Sequence, residues 1–211
     1  EMVRKPLILV GGGGHCKSVI DVAESAGYAI LGVLDQPERV GQDILGYKYI
    51  GTDDDIPNYV DKASFVITVG QIKSSSVRRK IAEKVAKAGG TFATVIAGDA
   101  YVSKHAEVGE GTVVLHKAFV NAGAKVGRNC IINTMVNIEH DAQIGDFCHI
   151  STGTMVNGEA RVGNDSFVGS GSTVYNCVSI CHETVIAAAS VVNRDITKPG
   201  IYVGNPVKFI K

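Results

Sequence analysis

Two histidines stand nine residues apart in the middle of this chain, and the first is bracketed by acids: Glu139, His140, Asp141, then His149. An imidazole titrates near neutrality. A carboxylate beside it raises its basicity and fixes its tautomer, which is what a general base needs. A surface histidine beside acids with no catalytic task has the same spacing. His105, His116 and His182 read as surface residues.

What must position His140 and His149 is a repeat that counts in sixes. From Ile96 through Val102, Val108 and Val114 to Val192, every sixth residue is Ile or Val. Two places before each next stop lies a small or β-branched residue such as Ala118, Cys130, Thr154 or Ser172. A helix of period 3.6 cannot keep a period of six on one face, and strand alternation does not require it. The pattern predicts a β-solenoid of hexapeptides, three to a triangular coil of about 18 residues, with neighbouring coils about 4.8 Å apart. His140 and His149 are then half a coil apart, facing away from each other, on the order of 15 Å apart at about 3.3 Å per residue. They can share a site only across two copies of the chain, and a three-sided prism suits a homotrimer with sites at its interfaces. Gly158 lies one coil after His140 and predicts an open slot beside the imidazole for a ligand backbone.

Composition narrows the rest. Lys plus Arg and Asp plus Glu both count 21, so no net field recruits nucleic acid or an anionic membrane. No apolar run approaches 18 residues, no signal-peptide pattern opens the chain, and five cysteines suit reduced thiols, so the expected location is cytoplasmic. Cys130 and Cys148 share the small core slot one coil apart and read as core filler.

The first ninety-odd residues read as a separate α/β unit. A strand at Leu7–Val10 runs into Gly11, Gly12, Gly13 and Gly14, then a helix, then a strand at Ile30–Leu34 ending at Asp35. A glycine turn feeding a helix N-terminus is a place for phosphate. The dinucleotide fingerprint is incomplete, with Cys16 or Lys17 in the third glycine position, and a tight turn without a ligand remains open. A strand at 65–70 precedes a helix from about Ser75 to Ala88, capped by Ser74–Ser76, and Asp53, Asp54 and Asp55 read as a solvated loop. The expected architecture is an α/β βαβ (Rossmann-like) domain at 1–92, a parallel β-helix of hexapeptide repeats at 93–197 and a C-terminal tail at 198–211.

The motifs Gly13-Gly14-His15, Val33-Leu34-Asp35, Ile67-Thr68-Val69-Gly70 with Arg78-Arg79-Lys80, Asn133-Thr134, Ile138-Glu139-His140-Asp141, Ile144 to His149 and Tyr202-Val203-Gly204-Asn205-Pro206 resemble one family. It is the hexapeptide-repeat nucleotide-sugar acetyltransferases, including UDP-4-amino-sugar N-acetyltransferases and sialic acid O-acetyltransferase-like proteins. The resemblance implies a left-handed β-helix, a handedness that periodicity cannot reveal. It implies acetyl-CoA as co-substrate, no metal, and a nucleotide-activated amino sugar as acceptor. Gly13, Gly14 and His15 would hold the diphosphate, with Asp35, Gln36 and Gly70 at the nucleotide. UDP-sugar members can carry a second acid where Gln36 stands. Asn133 and Glu139 would face the sugar, and His140 would be the base with Asp141 raising its basicity. His149, Gly158, Ser170 and Ala188 would contact acetyl-CoA, with the tail closing that site. A donor at His149 or a backbone N–H would stabilise the oxyanion.

Rival readings are a sugar O-acetyltransferase, a metal-dependent hydratase with histidines shared across an interface, and a non-catalytic binding solenoid.

Overall fold

The computed structural model describes residues 4–211; the first three residues of the expected N-terminal unit lie outside the described residues. β1 (Leu7–Val10), β2 (Ile30–Leu34), β3 (Asp43–Ile44), β4 (Tyr47–Gly51) and β5 (Ser64–Ile67) form one sheet in the order β3-β4-β2-β1-β5. Its pairings are parallel except for the β3–β4 hairpin. α1 (Gly14–Ser25) and α2 (Ser76–Lys87) cover opposite faces. α2 buries Ile81 and Val85 against Ile8, Val10 and Phe65, whereas α1 buries Val19, Ile20 and Ala23 against Leu7, Leu9 and Val33.

From Val95 onward the chain winds as a parallel β-helix, each two-residue strand pairing with one 18 residues later, as Phe119 with Asn137 and Ile131 with His149. Three sheets result. The Ile and Val stops point inward and form one continuous core, with Val120, Ile138 and Val156 fully buried. The small slot does more than fill space. Thr112, Thr154 and Ser172 each donate to a carbonyl fifteen residues on, and the Cys130 and Cys148 thiols do the same at 3.0 and 3.1 Å. Three residues after each stop from Val108 to Ile186 the backbone turns with positive φ: Lys117, Asn129, Met135, Asp141, Phe147 and Glu159 among others. That conformation costs about 1 kcal/mol for a residue with a Cβ. The N–H of each such corner answers it by bonding the previous coil, as from Asn129 to Glu110 and from Asp141 to Ala122.

The three faces differ in outward chemistry. The first (Val95–Ile96, Val113–Val114, Ile131–Ile132, His149–Ile150) receives α1, so Val95, Val113 and Ile131 share a core with Cys16 and Val19. The second (Tyr101–Val102, Phe119–Val120, Asn137–Ile138, Met155–Val156) exposes Tyr101, Phe119 and Met155, the two rings stacked at 5.0 Å. The third presents Glu107, Lys125, Gln143 and Arg161. The tail extends the first face through Gly200–Val203, turns back at Lys208–Phe209, and buries Val207 in the coil core.

Several expectations are corrected. The strand after the second helical crossover ends at Ile67, not at 70. Within the expected capping run, Ser74 accepts from the Ser76 N–H at 3.1 Å, whereas the Ser75 hydroxyl bonds Asp165 at 2.5 Å. Asp55 closes a capping box with Thr52 on a short 3-10 helix, and Lys84 bridges Asp53 and Asp54, so this segment is not a loose loop. His116 is no free surface residue: it bonds Asp99 at 2.7 Å and lies 3.0 Å from Asp21 of α1 without hydrogen-bond alignment. Among the described residues no helix is long and apolar enough to cross a membrane.

Candidate active site

His140 leaves the second face at a corner, its imidazole more than half exposed. Asp141 takes the positive-φ position there, and its carboxylate accepts from His140 Nδ1 at 3.0 Å. That bond, with the charges of Asp141, Glu159 and Glu139, holds the imidazole above its ordinary pKa. Nε2 is left as the basic atom. Beneath the ring is Gly158, where an added Cβ would stand 2.5 Å from Nε2. The imidazole therefore lies over Gly158, and a side chain there would collide with it. Glu139 is pinned by Asn121 at 2.7 Å and Asn137 at 3.0 Å, and these bonds keep its carboxyl below the usual range. It steadies this corner as an anion.

His149, on the first face, lives in the opposite environment. It is buried against the α/β unit, with Nδ1 2.6 Å from the Gln71 carbonyl, Nε2 3.0 Å from Asn133 Nδ2, and its ring edge-on to Phe167. Burial lowers its pKa to about 4 against the Gln71 bond, helped by the Arg78 charge. Both ring nitrogens are engaged within the chain, so the expected outward donor at His149 is not there. Asn133 is turned toward His149 rather than toward Glu139.

Asn133, Ser151 and Gly169 stack at the corner between the first and second faces, beside exposed Ser170 and Ala188. Ser151 and Ser170 bond hydroxyl to hydroxyl at 2.8 Å, and Gly169 leaves no room for a side chain against the Ala188 backbone. Ser170 and Ala188 are exposed, with Ser151 and Gly169 buried behind them. One chain thus keeps the His140 corner and the Ser170 corner apart, on either side of the second face.

The α/β unit holds a cleft of about 350 Å³ at the carboxyl ends of its parallel strands, lined by Gly11, Leu34, Asp35, Gln36, Val69 and Lys80 among others. This is where open α/β sheets take nucleotides. α1 starts at Gly14, and its N-terminus faces a second hollow with Gly12, Gly13, Lys17 and Arg39. Gly12 packs against Tyr49 and Asp35, so only glycine fits there. Gly70 lies exposed beside His15. The His15 ring turns inward with Nε2 unpartnered, its pKa pushed to about 3 by burial and by the charges of Arg78 and His149. Its backbone, not its ring, is available to a phosphate.

Sequence reasoning gave no role to the residues that join the two halves, although Arg78 and Arg79 belong to the motifs that carry the resemblance. Arg78 is fully buried and donates to the carbonyls of Ile67, Val69 and Asn129 at 3.1, 2.6 and 2.9 Å. Arg79 forks onto Asp165 at 2.6 and 2.9 Å and stacks on Phe147. Arg39, bonded to the Gly12 carbonyl and the Tyr49 hydroxyl, was also missed; its spacing of four from Asp35 was the available signal. Among the described residues no group of three or more His, Cys, Asp or Glu could hold a metal ion.

Comparison with known proteins points to one family. The family model of the PglD N-terminal domain matches residues 6–85. The chain is similar to the acetyltransferase domain of PglB from Neisseria gonorrhoeae, 30% identical over 98% of this chain and 100% of that one, with a TM-score of 0.91. The same domain in complex with acetyl coenzyme A gives 0.92 over 99% and 100%. PerB from Caulobacter crescentus, in complex with CoA and GDP-perosamine, is 27% identical over 100% of both chains, with a TM-score of 0.91. A curated relative, an uncharacterized protein of Acanthamoeba polyphaga mimivirus, is 33% identical over 103 residues, 49% of this chain, and the match spans 20% of that protein's length. The coil is a left-handed parallel β-helix.

Proposed function

Because this chain belongs to the hexapeptide-repeat nucleotide-sugar acetyltransferase family and is an acyltransferase, we propose that it moves the acetyl group of acetyl-CoA to the amine of a nucleotide-linked sugar, by direct transfer with His140 as general base. The observation that carries the reading is the His140–Asp141 pair seated over Gly158, a raised and solvent-open imidazole with one nitrogen committed and one free. The PglB domain with acetyl coenzyme A and PerB with CoA and GDP-perosamine support donor and acceptor class. Residues 1–92 would hold the nucleotide, 93–197 the reacting groups, and 198–211 would close the coenzyme side.

The second face supports a homotrimer. Its exposed Tyr101, Phe119 and Met155 are an apolar surface without a cover. His140 borders it on one side and the Asn133–Ser170 corner on the other. A second copy seated there sets the base of one chain against the coenzyme row of the next.

The acceptor we favour is a UDP-4-amino-4,6-dideoxy sugar, with GDP-linked and hydroxyl acceptors as the comparison set. The test is a panel of UDP-, GDP-, dTDP- and CMP-linked amino sugars with acetyl-CoA, read as free thiol released and as acetylated product. Turnover of hydroxyl sugars alone would replace N- by O-acetylation, and no turnover of any would end the reading. Site sharing is tested by mixing subunits: inactive His140→Ala and inactive Ser170→Trp chains, refolded together, regain part of the activity only if each site draws on two copies.

A further inference from the structure

The amide of Asn133 can be oriented from its neighbours alone. The Thr134 N–H donates to Asn133 Oδ1 at 2.8 Å, and only an oxygen can receive it. The nitrogen Nδ2 therefore faces His149 Nε2 at 3.0 Å. An amide NH₂ donates and does not accept, so Nε2 is the bare nitrogen of the ring. The ring hydrogen then sits on Nδ1, 2.6 Å from the Gln71 carbonyl, which can only accept. One tautomer satisfies every partner. Two consequences follow. His149 has no hydrogen left for a ligand, and Asn133 keeps one amide hydrogen uncommitted. Asn133 is half-buried and stands one coil before Ser151, whose hydroxyl holds the exposed Ser170, so Asn133 belongs to the same small-residue corner.

We propose that Asn133 supplies the N–H that meets the thioester oxygen in the transition state, and that His149 is the positioning residue that aims it through the Gln71 carbonyl of the α/β unit. The inference rests on the acyl-transfer reading above. The acceptor nitrogen attacks the thioester carbon, the C–N bond forms, and the carbonyl oxygen takes the negative charge and accepts from Asn133 Nδ2. The nitrogen's proton passes to His140 Nε2. When the carbonyl re-forms the C–S bond breaks, and the coenzyme thiolate leaves with the proton returned by His140. Burial keeps His149 neutral throughout the working pH range.

Steady-state kinetics on variants and histidine ¹⁵N chemical shifts test this together. Asn133→Ala should lower kcat about 100-fold, the effect of losing one such donor, with the KM for acetyl-CoA changed little. His149→Ala should lower kcat about tenfold, because an unaimed amide still donates part of the time. His149→Gln should recover most of that loss, since its carbonyl can accept from Asn133 while its NH₂ donates to Gln71. The Asn133→Ala/His149→Ala pair should be no slower than Asn133→Ala alone. The wild-type His149 shifts should show Nδ1 protonated and Nε2 bare from pH 8 to pH 5. A His149→Gln variant that melts normally yet is as slow as Asn133→Ala makes the ring itself the donor and overturns the proposal. So does a protonated Nε2, or a double variant whose loss is the product of the singles. If the wild-type chain acetylates nothing on the panel, the acyl-transfer reading has failed, while the shifts still judge the orientation.

Discussion

His140 and His149 are the same residue type half a coil apart, yet the fold gives them opposite chemistry. His140 stands in water with three carboxylates around it, and its basicity rises. His149 lies under the α/β unit near Arg78, and its basicity collapses. The hexad rhythm sets only where each side chain leaves the coil. What differs is the cover: the first face is roofed by α1 and the Gln71 loop, and the second is not. A titrating group can be made at an open corner, and a fixed donor–acceptor group at a roofed one.

Breaking the open corner should have the largest effect. His140→Ala should lower kcat about 10³-fold, within the range of a lost general base, with the melting temperature unchanged because the ring is exposed. Near wild-type turnover would take His140 out of the mechanism. Gly158→Ala comes next. A methyl there meets Nε2, and shifting the ring by about 1 Å can cost up to about 100-fold. If Gly158→Ala instead raises the KM for acetyl-CoA and spares kcat, Gly158 belongs to the coenzyme after all.

How much of this contrast was legible in the sequence follows from the range of each interaction. The coil was legible because its order repeats every six residues and each stop reports on its own neighbours. The His140–Asp141 pair was legible because its partners adjoin in the chain. The roof over His149 was not: its partner Gln71 is 78 residues away, and Ser75 finds Asp165 across 90. The closeness of Gly158 to the His140 ring was not legible, because the spacing shows that a site lacks a side chain and not what lies against it. The β3–β4 hairpin was hidden by its turn, where Leu45 with φ 48° precedes Gly46 in a conformation usually signalled by Asn-Gly.

Asp141→Asn sharpens the comparison by moving the open corner toward an ordinary histidine. The rate needs neutral His140, so it falls as pH drops through that group's pKa. The Asp141 carboxylate raises that pKa, so its removal should carry the acidic limb of kcat/KM to lower pH. The plateau should fall roughly tenfold, far less than the ~10⁴ of a buried triad aspartate, because the pair is solvated. An unmoved limb would mean that another group titrates.

The roofed side gives the smallest effect and the cleanest sign. His15 and His149 have folded pKa values near 3 and 4, below the unfolded value of about 6.5. Above that value neither state binds a proton and stability is flat. Below it the unfolded chain takes up protons that the native chain refuses, so stability falls as the medium becomes more acid. The loss is about 1.4 kcal/mol per histidine for each pH unit well below 6.5. Urea unfolding between pH 6.5 and 4.5 should therefore show a slope that His15→Gln reduces by about one proton, whereas His140→Ala leaves no such reduction. His140 has the opposite sign, because its raised pKa favours protonation of the native chain. An equal slope in the wild type and His15→Gln would mean that water reaches His15, and the contrast between roofed and open corners would lose its physical cause.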